Sequence, residues 1–371
     1  MRFKSLFILA LSASAAWAQA PGSAPAAPPA GRGPAGPAIV PLPKDARHAI
    51  DLEFAPAVTL DNGIIKAKLY LPDKPDSFYH GTRFDNFGTI GSLVYGGVDF
   101  YKPWFEYQAD VRDYVMANEG VVAGFASADA GPVEEFSTDG KGLGFDEAPV
   151  GGSFIKIGVG VLRKSDDQAY SQMRTYALVD PGKKSIKTSK NQIVFTQDIF
   201  DSNSGYGYHY VKTLRLVPGK PQLVIEHVLK NTGQKAFTTT VFDHNFLTLG
   251  NQDIQVTVPY TIDPPARPAP ADLIKLDAHT ISFLRPMTMT ERGFVLGMAG
   301  FGKTADDYAI EIKNTRTGAG VSVKGDQPMV ANAFFAVHSI AAVEPRISMD
   351  LPVGGEKRWT YTYTYTAPNK P

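Results

Sequence analysis

The 371-residue chain is predicted to be an all-β protein, a large sandwich or barrel. Three observations lead there. Trp359-Thr360-Tyr361-Thr362-Tyr363-Thr364-Tyr365 alternates aromatic residues and Thr with period two, stacking four rings on one face of a strand and leaving the other face polar. No long stretch carries a sustained helical period, with Gln168–Leu178 as the ambiguous segment. Short apolar and β-branched runs recur at close spacing with Gly and Pro between them.

The elements follow in chain order. Residues 1–20 read as a signal peptide: Arg2 and Lys4 precede an apolar run from Leu6 to Leu11, and Ala16-Trp17-Ala18 and Ala18-Gln19-Ala20 each fit a small-x-small cleavage site. The expected destination is the periplasm or the exterior. Residues 21–44 are mostly Pro, Ala and Gly, which cannot bury enough apolar surface to offset ordering entropy, so a disordered, partly extended tether is expected. Residues 45–368 show no second linker and no fixed-period repeat, and are read as one β domain. Within it, Phe154–Leu162 is read as a strand with Ile155, Ile157, Val159 and Val161 on one face. Gly158 and Gly160 on the other leave room for close packing or a ligand. Leu223–Leu229 is a strand, Lys230–Gly233 supplies a turn, and a second strand runs through Thr238–Val241. Thr261–Ala271 is a Pro-rich surface loop, and Ala309–Lys313 with Val321–Lys324 forms a hairpin.

Composition excludes several function classes. The chain has no Cys, which removes disulfides, a lipidated N-terminal Cys, thiol catalysis and Cys-based metal sites. Its 37 basic and 37 acidic residues balance, so neither a nucleic-acid partner nor an anionic-membrane surface is expected. No stretch approaches the ~18 apolar residues of a membrane span, and membrane insertion is not expected. A neutral, aromatic-rich surface suits an uncharged ligand such as a sugar.

The most informative stretch is Leu223–Gly250. Its second strand delivers Asp243, His244 and Asn245 between Phe242 and Phe246. A His at the end of a buried strand is placed for proton transfer to a ligand, or is a core His satisfied by a backbone carbonyl. The segment Phe242–Gly250, FDHNFLTLG, resembles the Asn-His-x-Tyr-Phe-Asn-Leu signature of the aldose 1-epimerase (galactose mutarotase-like) family, preceded by the same strand and turn. The resemblance implies a β-supersandwich whose concave sheet carries a sugar site. It makes His244 the general acid, with Asp243 and Asn245 in place of the usual flanking residues.

Other candidates join His244. Ser77–Gly88, SFYHGTRFDNFG, offers Tyr79, His80 and Arg83. In the family a Gly-x-Arg-type segment lines the sugar pocket, and Arg83 matches its Arg; pairing of Arg83 with Asp85, or a role in stabilising the loop, is the alternative. Glu134 and Glu135 are adjacent on a strand, so their side chains take opposite faces and at most one serves a cleft. Glu135 is the candidate, and solvated loop charges the alternative. Glu147, with nearby Asp146, precedes a tight Gly turn and reads equally as a structural carboxylate. Glu344 closes an apolar run before Pro345, and the family places its catalytic Glu in such a strand, ahead of a turn like Pro352–Glu356. Glu344 is therefore the expected base, with an ion pair to Arg346 or Arg83 as the alternative. His209 and His338 are spare titrating groups, and Asp263 a spare hydroxyl ligand. The family's second His, in a His-Gly-x segment, has no counterpart in Gly120–Phe125.

The implied chemistry needs no cofactor and no metal. A base takes the anomeric hydroxyl proton while an acid protonates the ring oxygen; the ring opens, the aldehyde rotates and the steps reverse. Three functions compete: an exported epimerase acting on a sugar or glycan end, a non-catalytic sugar-binding protein, and another glycan-processing enzyme or accessory domain.

Overall fold

Period-two alternation sorts the chain into antiparallel strands, and the long ones commit one face to the interior. The computed structural model describes residues 55–72, 78–79, 81–102, 131–172, 174, 176–250, 253–265, 267, 269–288, 291–337 and 340–369, all within the unit spanning residues 41–371. The expected signal peptide and tether lie outside the described residues, as do His80, His338 and Gly120–Phe125.

The first sheet holds Ala57–Asp61 (β1), Lys66–Tyr70 (β2), Ile90–Tyr95 (β3) and Val98–Asp99 (β4) in chain order. Three small sheets follow. One joins Ser153–Lys156 (β6), Gly160–Arg163 (β7) and Leu178–Asp180 (β8). One joins Arg292–Val295 (β17), Phe334–Val337 (β20) and Ile340–Val343 (β21). The third sets Phe237–Phe246 (β13) between Arg346–Leu351 (β22) and Gly131–Ser137 (β5).

The large sheet has ten strands. Its first half runs through Ile274–Leu276 (β15), Thr280–Phe283 (β16), Ile254–Thr257 (β14), Ala309–Asn314 (β18) and Gly320–Gly325 (β19). It continues with Glu356–Thr366 (β23), Gln222–Asn231 (β12), Gly207–Leu216 (β11), Gln192–Phe200 (β10) and Lys183–Thr188 (β9). The only helical element among the described residues is a single 3-10 turn at Ala305–Asp307, and Gln168–Leu178 contains no helix there.

The aromatic ladder of β23 is buried as its alternation requires: Trp359, Tyr361, Tyr363 and Tyr365 all face the interior. Across from them on β12, Ile225 pairs with Tyr361 and His227 with Trp359. Phe136 of β5 sets its ring edge-on to Tyr210 and Trp359, which stacks the β22–β13–β5 sheet against the large sheet. The described β22–β13–β5 sheet therefore has an inner face turned to the large sheet and an outer face turned away.

One sequence reading is corrected. Phe154–Leu162 is not a continuous strand but the hairpin β6–β7, with Ile155 paired to Val161. Gly158 sits at the turn with φ +79°, and a Cβ there would lie 2.6 Å from Asp85 Oδ1. The glycine thus serves a left-handed turn pressed against a carboxylate rather than the face of a flat strand.

Candidate functional site

The outer face of the β22–β13–β5 sheet gathers the charged groups. Register fixes which ones: Phe242 stands between Glu135 on β5 and Arg346 on β22, and His244 follows two residues along the same face. Glu344 lies between β21 and β22, and its backbone N–H donates to Ala333 O at 2.8 Å. Arg83 is brought over this face by the segment leading into β3. That segment is tied down at several points: Asp85 N–H donates to Glu134 O at 2.8 Å, Asn86 N–H to Gly158 O at 3.1 Å, and Asn86 Nδ2 to Gly81 O at 3.1 Å. Phe84 meets His244 edge-on at 5.1 Å, and its N–H donates to Tyr79 Oη at 3.1 Å.

The result is a chain of contacts with His244 at its centre. Its Nδ1 is 2.8 Å from Glu344 Oε1. Its Nε2 is 3.3 Å from Glu135 Oε2, within ion-pair reach but without hydrogen-bond alignment. Arg83 Nε donates to the same Glu135 oxygen at 2.8 Å, and Lys156 Nζ lies 3.4 Å from its other oxygen while donating to Phe136 O at 2.6 Å. The His244 and Glu135 side chains are 2% exposed, whereas Glu344 is 14% exposed and marks the open edge of the cluster.

Electrostatics follow from this packing. Burial disfavours the His244 cation, but the carboxylates of Glu344 and Glu135 outweigh it and raise its pKa above the ordinary imidazole value. Burial would raise the Glu135 carboxyl; Arg83, Lys156 and His244 overrule it and hold that group well below the usual range. Burial lowers the Lys156 ammonium despite Glu135, and lowers the Arg346 guanidinium despite Glu135 and Glu344.

Most of the predicted residues meet here: Arg83, Glu135, His244 and Glu344 share the cluster, with Tyr79 buried behind Phe84. The alternative pairing of Arg83 with Asp85 is not seen, and Glu344 pairs with His244 rather than with an arginine. Glu134 and Glu135 do take opposite faces, and both are buried, so neither is a solvated loop charge.

Asp243 and Asn245, expected to bind substrate, do not reach the outer face. Strand alternation turns them inward, where Asp243 accepts hydrogen bonds from Tyr308 and Tyr363 hydroxyls at 2.9 Å and Asn245 Nδ2 donates to Val343 O at 3.0 Å. Burial, with the nearby Glu134 charge, pushes Asp243 up to about 7 against those bonds. His209 is also elsewhere, on the outer side of the large sheet with Asp198 at 2.7 Å. Glu147 binds Tyr206 and Lys235, and Asp146 binds Lys141, all away from the cluster. Asp263 is exposed.

Of the site's cations, Lys156 escaped the sequence reading, and Arg346 entered it only as an alternative partner of Glu344. Lys156 ends a strand otherwise of buried residues, and a lone Lys in an apolar run is the signal that marks it. Arg346 opens β22 opposite Phe242, on the face that carries His244. A second cluster on the inner face was also missed. Lys212 Nζ donates to Glu134, to Asp85 Oδ2 at 3.2 Å and to Phe87 O at 2.7 Å; His227 Nε2 is 2.8 Å from Glu134 Oε1 and its ring stacks on Trp359. Lys212 and His227 each fall in phase with the buried positions of their strands, a pattern legible in sequence. Gly88, with φ +83°, passes over Lys212 where a Cβ would lie 3.2 Å from Nζ, so the backbone of the Arg83 segment needs glycine there.

Among the described residues, no group of three or more His, Asp or Glu side chains is arranged to hold a metal ion, and no helix is long and apolar enough to cross a membrane.

No sequence-family profile matches the chain, and no curated protein matches it. Solved structures do. A candidate aldose 1-epimerase from Klebsiella pneumoniae superposes with a TM-score of 0.50 at 12% identity, over 82% of this chain and 77% of that one. A galactose mutarotase-related enzyme from Lactobacillus acidophilus gives 0.49 at 11% identity, over 85% and 98%. An aldose epimerase homologue from C. elegans gives 0.48 at 11% identity, over 84% and 99%. The fold is galactose mutarotase-like, a conclusion that rests on the first of these likenesses together with the sheet arrangement. At such identities the likeness extends to the fold alone.

Proposed function

We propose that this chain is an exported carbohydrate-active protein that interconverts sugar anomers by general acid/base catalysis, with His244 as acid and Glu344 as base. The observation that carries the reading is the His244–Glu344 contact of 2.8 Å, backed by Glu135, Arg83 and Lys156, with Glu344 more exposed than His244 or Glu135.

The chemistry follows from those positions. Glu344, at the open edge, takes the proton of the anomeric hydroxyl. The freed electron pair forms the aldehyde carbonyl, and the bond from the anomeric carbon to the ring oxygen breaks. His244 Nε2–H lacks an aligned acceptor and is the proton given to that oxygen. Rotation about the adjacent carbon–carbon bond and reversal of both transfers deliver the other anomer. In the reversal Glu344 gives its proton to the new anomeric oxygen and the ring hydroxyl returns its proton to His244 Nε2, which restores both groups without a solvent step, while the Nδ1···Oε1 contact holds the two side chains in register. Arg83 and Lys156 hold the Glu135 carboxyl low, and Glu344 together with Glu135 raises the His244 pKa.

A second reading, a sugar-binding protein without catalysis, is favoured by one observation: both ring nitrogens of His244 face carboxylates in a nearly closed setting. Proton exchange spectroscopy on freshly dissolved single-anomer aldoses separates the two. The catalytic reading expects equilibration faster than in buffer; binding without acceleration across an aldose panel would reject it. Export belongs to the same proposal, and N-terminal sequencing of protein from its native host is expected to start at Gln19 or Pro21.

A further inference from the structure

Among the described residues, the outer face of the β22–β13–β5 sheet sets three basic side chains against two carboxylates. Arg83, Lys156 and Arg346 face two carboxylates, Glu135 and Glu344, with His244 between the carboxylates. Arg83 and Lys156 share one of these, and His244 occupies the other. Arg346 is left over. Its guanidinium lies 3.3 Å above the Phe242 ring centre, its Nε is buried without a hydrogen-bond partner, and it forms no ion pair among the described residues. An arginine held flat on an aromatic ring, half-buried and with an unmet donor, is poorly compensated.

We propose that the site is built for an anionic saccharide, a sugar bearing a carboxylate, phosphate or sulfate, whose charged substituent is taken by Arg346 while its anomeric centre meets His244 and Glu344. The inference rests on the anomer-exchange reading for its orientation, and departs from the uncharged ligand that overall charge balance suggested. Arg346 stands across from Phe242, and His244 is two residues along the same strand face, so the two lie on a diagonal of about 7–8 Å, a distance one sugar ring can span. The guanidinium fork matches a carboxylate or phosphate in two parallel bonds. A half-buried guanidinium with no ion pair among the described residues is costly until such an anion arrives, and burial lowers the pKa of Arg346 despite Glu135 and Glu344.

Calorimetric titration of the full-length protein tests this with matched pairs, D-galactose against D-galacturonate and D-glucose against D-glucose 6-phosphate, each at low and raised NaCl. The charged member of a pair is expected to bind about ten- to a hundredfold tighter, with the gap narrowing in salt and in Arg346→Gln, and partly recovered in Arg346→Lys. Which pair shows the larger gap tells carboxylate from phosphate. Equal or weaker binding of both charged members overturns the proposal, as does inorganic phosphate binding as tightly as the sugar phosphate, which would mean an anion site without sugar recognition. The two readings fail separately. Accelerated anomer exchange without charge preference removes only the anionic ligand; charge-selective binding without acceleration removes only the catalysis.

Discussion

Glu134 and Glu135 are chain neighbours on β5, yet their carboxylates end in separate ion clusters on opposite faces of one sheet: Glu134 with Lys212 and His227 on the inner face, Glu135 with Arg83, Lys156 and His244 on the outer. The inner cluster also holds Asp85, two residues from Arg83, so the segment that carries the outer arginine is anchored from beneath.

Substitution of the dyad is expected to remove most of any anomer exchange. Glu344→Gln removes the base and His244→Asn the acid, and each should lower the rate by about 10²–10⁴-fold. Because the two groups share one hydrogen bond, the double variant should lose less than the product of the single losses. Exchange spectroscopy on the three variants measures this. Full activity in Glu344→Gln would move the base elsewhere.

The raised pKa of His244 has a defined pH signature. Its folded-state value lies above the unfolded one, so its stabilising contribution is complete below about pH 6.5 and is lost as pH rises through the folded value. Proton NMR titration of the imidazole should place its midpoint above the ordinary value, and Glu344→Gln should bring it down. An unmoved midpoint in the variant would show that Glu344 does not hold the charge.

Removal of Lys212 should destabilise the whole fold. Its ammonium is fully buried between Glu134 and Asp85, and Lys212→Met leaves both carboxylates without it. A loss of about 3–5 kcal/mol in urea unfolding is expected, less when Glu134→Gln is added. A loss under about 1 kcal/mol would mean the inner cluster contributes little.

Asp243 should make stability fall with rising pH. Its folded value of about 7 lies above that of an unfolded Asp, so the folded state holds the extra proton in between. The contribution is complete below about pH 4 and is lost by about pH 7. Relative to Asp243→Asn, the wild type should weaken across that window by a few kcal/mol at most, read from denaturation midpoints at several pH values. A constant difference between the two proteins would contradict the shift.

Much of the fold was legible because alternation is a local signal. The β23 ladder, the successive strands β12 and β13 and the β18–β19 hairpin all follow from period two and turn chemistry. The misread segment, Phe154–Leu162, shows the limit: Ile155, Ile157, Val159 and Val161 alternate whether the chain runs straight or turns back at Gly158, and the turn is distinguished by tertiary contacts, with Asp85 packed against that glycine and Tyr208 and Asn86 bonded to its backbone.

By itself the sequence determined the all-β class, the absence of thiol chemistry, and the side chains available for acid–base work. It also placed Glu134 and Glu135 on opposite faces, since neighbours on a strand must diverge. Tertiary structure decided which face is the site. Asp243, His244 and Asn245 are equally polar in sequence, but β13 is covered on both sides, by the large sheet within and by the Arg83 segment without, so strand phase sends His244 to one cluster and Asp243 to the tyrosines of the other side. Ion partners were likewise settled only in three dimensions. Arg83 lies 52 residues from Glu135, and Lys212 lies 78 from Glu134. A cation buried beyond the reach of its sequence neighbours takes whichever carboxylate the packing of sheets sets beside it.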